Sequence, residues 1–345
     1  MKTLPPGFCI SHRQIGIGQP AFIIAEVGIN HGGNEEVAAR MIDAAAAAGA
    51  DAVKLQTVNI HESYRPGTPS YQEFRGKELS LLALRRLIAR ADDHGIILFS
   101  TPGDLSSLDL MCEADMPAVK ISSGLMTNLP LIAKAASTGR PLVISTGMGF
   151  LEEVVEAVET AREAGAHDIV VLQCTSIYPA PAEKLNLRAM QSLAAATGCL
   201  TGYSDHFDGA LACVAAVSAG AIMIEKHFTM DRNRIGEDHS ISLEPDAFKN
   251  MVADIRLVEQ MLGSTVKQPS PEEIRQRPAL HRRLVVSRDL PAGHRLAPTD
   301  LVFMRLQPDE PGLPASQLKE VIGKTIRLAL AQYSGLQETD LEDIA

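Results

Sequence analysis

FIIAEVGINHGGNEEVAARMIDAAAAAGADAVKLQT, residues 22–57, reads as a strand, a helix and a second strand. Phe22–Val27 is an apolar β-rich run, and Asn34 is placed to cap the helix that follows. An alanine-rich body then stops at Gly49, and Ala52–Gln56 opens the next strand. The same alternation continues outward. Further β-rich runs fall at Ile96–Ser100, Ala118–Ile121, Leu142–Ser145, Ile169–Gln173, Leu200–Tyr203 and Ala221–Glu225. Helical patterns separate them, such as the Leu81/Leu84/Leu87/Ile88/Ala91 stripe behind Ser80. The last runs from Pro245 through Phe248, Met251, Val252 and Ile255 to a stop at Gly263. Eight strand–helix repeats predict a (β/α)8 TIM barrel over residues 1–263, with a doubly wound sheet as the alternative. Residues 264–280, rich in proline and charge, read as a linker. Residues 281–345 read as a small β-rich domain, with strands at Leu284–Ser287 and Leu301–Leu306. No repeat beyond the strand–helix period is evident.

The 345 residues suit about two domains. A net charge of −10 argues against sequence-independent nucleic-acid binding, which needs Lys and Arg against phosphates, and aromatics at 4% leave no base-stacking platform. No apolar run reaches the roughly 18 residues of a membrane helix, and the N-terminus does not read as a signal peptide. Five scattered cysteines without a CxxC motif read as reduced thiols, so a cytoplasmic location is expected.

Barrel active sites form at the C-terminal ends of the strands. Those positions are polar here: Glu26, Asn30 and His31; Lys54 and Gln56; Ser100 and Thr101; Lys120, Ser122 and Ser123; Ser145 and Thr146; Gln173, Thr175, Ser176 and Tyr178; Asp205 and His206; Glu225, Lys226 and His227; then Asp238. Each alone reads as a surface or satisfied core group, but eight strand ends together are hard to explain as scaffold. Lys54 and Lys120 lie in apolar strands, where an unpaired charge is costly. With Ser123-Gly124 and Ser145-Thr146-Gly147 they suggest a cradle for a doubly anionic ligand; a structural ion pair or a Schiff-base lysine are the alternatives. His206 and His227 end neighbouring strands and could bind a divalent ion, with Asp205 or Glu225 orienting them. Cys174, lacking an obvious base partner, reads as an inert thiol.

At these residues the chain resembles the sialic acid synthases, the phosphoenolpyruvate-dependent nonulosonate synthases. The matching stretches are IIAEVGINHGG (23–33), AGADAVKLQT (48–57), LFSTPGDLSSLD (98–109), AVKISSG (118–124), ISTGM (144–148), CTSIYPAP (174–181), GYSDHFDG (202–209), IEKHFTMD (224–231) and EDHSISLEPDAFKNM (237–251). Residues 281–324 resemble the family's antifreeze-like (SAF) domain. The resemblance implies condensation of phosphoenolpyruvate with an N-acylated amino hexose, with C–O cleavage and phosphate release. It implies His206 and His227 as ligands of Mn2+ or Mg2+. Lys54, Lys120, Ser123, Ser145, Ser176 and Tyr178 would surround phosphoenolpyruvate. Glu26 or Glu225 would stabilise positive charge or handle a proton. Gln56, Thr101 and Asp238 would contact the sugar. It further implies a domain-swapped homodimer, with Arg305 reaching the sugar's acylamino group.

Three departures fall at the sugar end. Leu125 replaces an acidic residue that several members carry, Gly103 replaces the phenylalanine of an STPFD motif, and Arg305-Leu306-Gln307 replaces Arg-Pro-Gly. The 60–74 loop is short, with Thr68 standing where a sugar-contacting asparagine is expected. An apolar Leu125 leaves a sugar hydroxyl unpaired, at roughly 1–3 kcal/mol, which a deoxy sugar avoids. A 6-deoxy diacetamido hexose is therefore expected over N-acetylmannosamine. The competing functions are a metal-dependent sugar-phosphate aldolase or isomerase, and a non-catalytic sugar-binding protein.

Overall fold

In the computed structural model, which describes residues 4–236 and 238–342, the predicted alternation closes into a barrel. Met1–Thr3, Glu237 and 343–345 lie outside the described residues. The barrel strands are β3 (Phe22–Gly28), β4 (Ala52–Thr57), β5 (Ile97–Pro102), β6 (Val119–Ile121), β7 (Leu142–Ser145), β8 (Ile169–Cys174), β9 (Leu200–Asp205) and β10 (Met223–His227). They pair in parallel, each with its sequence neighbour, and β10 closes on β3. The barrel, not the doubly wound sheet, is the fold.

Ahead of it lies a hairpin, β1 (Phe8–Ile10) and β2 (Arg13–Ile15). The helices are α1 (Glu35–Ala47), α2 (Ile60–Ser63), α3 (Pro69–Phe74), α4 (Leu81–Asp93), α5 (Leu105–Glu113), α6 (Leu129–Ser137), α7 (Leu151–Glu163), α8 (Ala189–Thr197), α9 (Leu211–Ser218) and α10 (Pro245–Leu262). Side-chain caps begin many of them: Asn34 Oδ1 accepts from Val37 N, and Ser80 Oγ from Ala83 N.

Strand alternation sorts the barrel into three environments. Ile23, Ala25, Val53, Leu98, Val171 and Ile224 point outward against the helices. Phe22, Ile24, Ala52, Ile97, Phe99, Ala118, Val143, Val170 and Met223 fill the interior at the N-terminal end. The hairpin's Phe8, Ile10 and Ile15 join that inner cluster and plug the barrel's floor. Two residues further along the same inward rows the side chains turn polar, at Glu26, Lys54, Thr101, Lys120, Ser145 and Glu225.

The chain divides into two compact units at Gly263/Ser264. The stretch read as a linker contains a helix, α11 (Pro271–Leu280). Its start is strongly specified: Pro271 follows Ser270, whose hydroxyl accepts from Glu273 N at 3.2 Å while Glu273 accepts from Ser270 N at 2.7 Å. Beyond it, β11 (Arg283–Val286) pairs antiparallel with β12 (Leu301–Met304), and α12 (Leu318–Val321) is a single turn. Leu284, Val286, Leu290, Leu296, Leu301, Val321, Ile326, Leu336 and Leu341 form a separate core. This unit contains a repeat that the sequence reading missed. LPAGHRLAPTDL (290–301) and LAQYSGLQETDL (330–341) match at Leu290/Leu330, Leu296/Leu336 and the closing Thr-Asp-Leu. Leu290 and Leu330 exchange both backbone hydrogen bonds at 2.9 Å. Asp300 and Asp340 each accept the backbone N–H three residues earlier.

Candidate active site

The polar rim encloses a cavity of about 360 Å3 at the C-terminal end of the barrel. Glu26, Lys54, Gln56, Lys120, Ser123, Ser145, Ser176, Tyr178, His206, Glu225, His227 and Asp238 all line it. These are twelve of the residues singled out from the sequence, converging from seven of the eight strands or the loops after them. Thr101 lines an adjoining cavity of about 310 Å3, with Val58, Gly103, Leu125 and, from the first cavity, Gln56 and Tyr64. Arg305 lies in the C-terminal unit, where its Nε donates to Leu280 O at 3.2 Å.

Two buried lysines and two buried glutamates form the centre. Lys54 Nζ is 2.6 Å from Glu26 Oε2 and 3.9 Å from Glu225 Oε2, and donates to Thr101 Oγ1 at 2.9 Å. Lys120 Nζ is 3.5 Å from Glu225 Oε1 and donates to Ser145 Oγ at 2.7 Å. Ser204, which the sequence reading did not single out, donates to Glu225 at 2.9 Å. Burial brings the Lys54 ammonium down to about 7, against the pull of Glu225 and with the push of Lys120. Burial would raise the Glu225 carboxyl, but Lys120 and Lys54 hold it below its ordinary value. The cluster thus sets two lysines against two carboxylates within one cavity.

Gly147 brings the hydroxyl wall together. Its N–H donates to Ser123 Oγ at 2.9 Å. A Cβ there would collide with Ser176 Oγ and lie 2.8 Å from Ser123 Oγ. Gly103 permits a second close approach, since a Cβ there would sit 2.7 Å from Ser63 Oγ and from Val58 Cγ1. The short loop after β4 therefore packs where the expected phenylalanine side chain would stand.

The two imidazoles face each other with ring centroids 5.2 Å apart, and Tyr178 stacks 4.1 Å from His206. His206 Nδ1 lies 2.8 Å from Thr175 O, a pure acceptor, so Nδ1 carries a proton and, in the neutral ring, Nε2 the lone pair. Burial, reinforced by His206, pushes His227 well below its ordinary value, so it is neutral. Imidazoles fit a divalent ion as ligands in their neutral form. Burial would lower His206, but its hydrogen bond to Cys174 and the charge there raise it above its ordinary value, so an ion bound there would displace a proton. Among the described residues no set of three or more His, Cys, Asp or Glu is arranged to hold a metal, so water or substrate oxygens would complete the shell. Asp238 Oδ2 lies 3.6 Å from His227 Nδ1.

Several rim residues do other work than expected. Asp205 contacts neither histidine; it lies on the outer face of β9, 2.8 Å from Lys226 Nζ, and neither side chain is exposed at all. Strand parity is the reason: Glu225 and His227 point inward, so Lys226 between them points outward. Asn30 donates to Phe228 O, Gln173 to Leu185 O and Thr175 to Lys184 O, so these residues hold loops in place. Ser100 pairs with Thr57 at 2.7 Å on the outer face. Cys174 does have a partner, lying 3.8 Å from His206 Nδ1. Burial would raise its thiol, yet the hydrogen bond and charge of His206 bring it below its ordinary value. Tyr64 and Phe74, ring centroids 4.8 Å apart, also line the main cavity and carried no sequence signal beyond lying in the 60–74 loop.

A closed (β/α)8 barrel with buried lysines, carboxylates and histidines at its C-terminal mouth belongs to the class of barrel enzymes. The chain is a member of the NeuB family, whose model matches residues 41–267, and an SAF domain matches residues 281–342. It is similar to the N,N'-diacetyllegionaminic acid synthase of Legionella pneumophila, at 37% identity over 92% of this chain and 93% of that protein. It is also similar to the human N-acetylneuraminate-9-phosphate synthase, at 33% identity over 94% of each. Among solved structures it is similar to the N-acetylneuraminic acid (sialic acid) synthetase from Leptospira borgpetersenii, with a TM-score of 0.75 and 32% identity over 81% of this chain and 99% of that one. The family resemblance and the barrel-plus-SAF architecture read from the sequence both hold. No helix among the described residues is long and apolar enough to cross a membrane.

Proposed function

We propose that this protein is a nonulosonic acid synthase that condenses phosphoenolpyruvate with an N-acylated amino hexose. The observation that carries the reading is the Lys54–Lys120 cradle with Glu26 and Glu225 inside it, facing His206 and His227 across one cavity. Two ammonium groups and the Ser123, Ser145 and Ser176 hydroxyls suit a compact ligand carrying both phosphate and carboxylate. Carbon 3 of phosphoenolpyruvate attacks the aldehyde carbon of the open-chain sugar, and water adds to the oxocarbenium carbon left at carbon 2. Glu26, beside Lys54, takes a proton from that water, offsetting the proton needed by the alkoxide left on the aldehyde oxygen. Phosphate leaves with the C–O bonding pair as the carbon 2 hydroxyl gives up its proton to become the keto group. Glu225 stabilises the positive charge between the lysines. Gln56, Thr101, Tyr178 and Asp238 orient the sugar. When bound by His206 and His227, a divalent ion, Mn2+ or Mg2+, would polarise the aldehyde oxygen.

On the same reading the sugar is a 6-deoxy diacetamido hexose. Val58, Gly103 and Leu125 give the adjoining cavity an apolar wall, which suits a sugar lacking a hydroxyl at that end. The two relatives named N,N'-diacetyllegionaminic acid synthase are each 37% identical to this chain, against 30% for two named pseudaminic acid synthases. The protein works as a domain-swapped homodimer, with Arg305 of the partner subunit completing the sugar site.

Phosphate release from phosphoenolpyruvate across a panel of N-acylated hexosamines, with Mn2+ and with a chelator, tests this. Sugar-dependent release, lost with chelator and fastest with a diacetamido 6-deoxy sugar, is expected. Turnover of a sugar phosphate without phosphoenolpyruvate would replace the proposal with the aldolase or isomerase alternative. Sugar binding without turnover of any panel member would point to the non-catalytic alternative.

A further inference from the structure

Behind the mouth, on the outer face of β9 and β10, lies a charged pair that the chemistry above does not use. Asp205 and Lys226 are wholly buried, 2.8 Å apart, with Cys213 of α9 at 3.4 Å from Asp205 Oδ2. A buried ion pair is a weak reason for stability, since apolar residues often serve as well. Here the partners explain why it is charged. Asp205 Oδ1 accepts from Phe207 N at 2.9 Å and from Tyr203 Oη at 2.8 Å, while Lys226 Nζ donates to Phe207 O. One carboxylate and one ammonium thus satisfy both backbone groups of a single residue, which no apolar pair could do. That residue directly follows His206. On its other side the His206 carbonyl accepts from Ala180 N at 2.9 Å. The chain is therefore gripped around His206, and its ring meets Thr175 O at 2.8 Å in one tautomer.

We propose that Asp205 and Lys226 are positioning residues for His206. They fix the corner after β9 so that the imidazole keeps its proton on Nδ1 and presents Nε2 to the cavity. The inference adds to the proposed function but does not need it, because the ring's state can be read without substrate or metal.

The test is a histidine-selective 15N–1H spectrum of the metal-free full-length protein, with the His206 signals assigned by their loss in His206→Asn. The wild type is expected to give the pattern of a single Nδ1–H tautomer. The double variant D205L/K226M removes both charges together and so leaves no unpaired buried ion. In it the His206 signals should shift to a tautomer average, while phosphoenolpyruvate affinity, measured separately, stays within about twofold. Mn2+ affinity should fall by about 10–100-fold, the range seen when groups behind a metal ligand are removed. Should the double variant not fold, Tyr203→Phe deletes one hydrogen bond to Asp205, and the same spectral change in smaller measure is expected. An unchanged His206 pattern in a folded variant would overturn the proposal, as would equal loss of phosphoenolpyruvate and Mn2+ affinity, which marks general loosening. Absence of Mn2+ binding by the wild type would count against the metal assignment alone, with the spectrum still deciding the positioning role.

Discussion

Lys54 carries a pH dependence close to neutrality. Its ammonium sits at about 7 instead of the ordinary 10.5, because burial, with the push of Lys120, outweighs the pull of Glu225. The free enzyme therefore loses this cation as pH rises through about 7, and phosphoenolpyruvate affinity should be greatest below that value and weaken above it. In Lys54→Arg the guanidinium stays charged, so the inflection near 7 should vanish even where affinity is lower overall; titrating phosphoenolpyruvate binding from pH 6 to 9 checks this. The unfolded chain binds a proton at Lys54 between about 7 and 10.5 that the folded chain does not. Across that window this lysine's contribution makes the ligand-free protein more stable as pH rises. Leu125 governs the other end of the cavity. Leu125→Glu should favour a sugar with a hydroxyl there, shifting the kcat/KM ratio between N-acetylmannosamine and its diacetamido 6-deoxy analogue by roughly tenfold or more toward the former. An unmoved ratio would remove Leu125 from sugar selection.

At the level of elements, the hairpin of β1 and β2 is the part of the barrel unit least visible in sequence. Two three-residue strands show no usable period, and only packing reveals Ile10 and Ile15 as the floor of the barrel. Ile10→Ala should cost about 2–5 kcal/mol, read as a lowered urea midpoint with an unchanged slope. The barrel strands were legible because each is a short apolar run, most of them preceded by a glycine stop, and every one lies within two residues of its expected limits. The rim was legible too, since twelve predicted side chains share one cavity. What misled was a list of polar types without strand parity: Asp205 and Lys226 lie beside inward residues but face the helices. Cys174 acquired its partner from a different strand, and spacing along one chain cannot show that. Helix α11 was hidden because its pattern is mostly polar, with no apolar stripe, and its signal lay in the Ser270-Pro271 start instead. The repeat in the C-terminal unit escaped notice because five scattered identities mean little until Leu290 and Leu330 are seen paired.

For the molecule as a whole, a chain with net charge −10 gathers Lys54 and Lys120 in one cavity at the barrel mouth. That concentration separates the barrel unit from the C-terminal unit, whose small core supports a repeated turn structure and, among the described residues, contains no buried lysine. On the proposed mechanism water enters at carbon 2, so the C–O bond breaks and phosphate departs with the bridging oxygen. Phosphoenolpyruvate labelled with 18O in its bridging position, supplied with Mn2+ and a diacetamido 6-deoxy hexose, tests this most directly. The label should appear in inorganic phosphate, only when sugar is present, alongside a nine-carbon acid of matching mass. Label retained in an organic product, or phosphate released at the same rate without sugar, would contradict it.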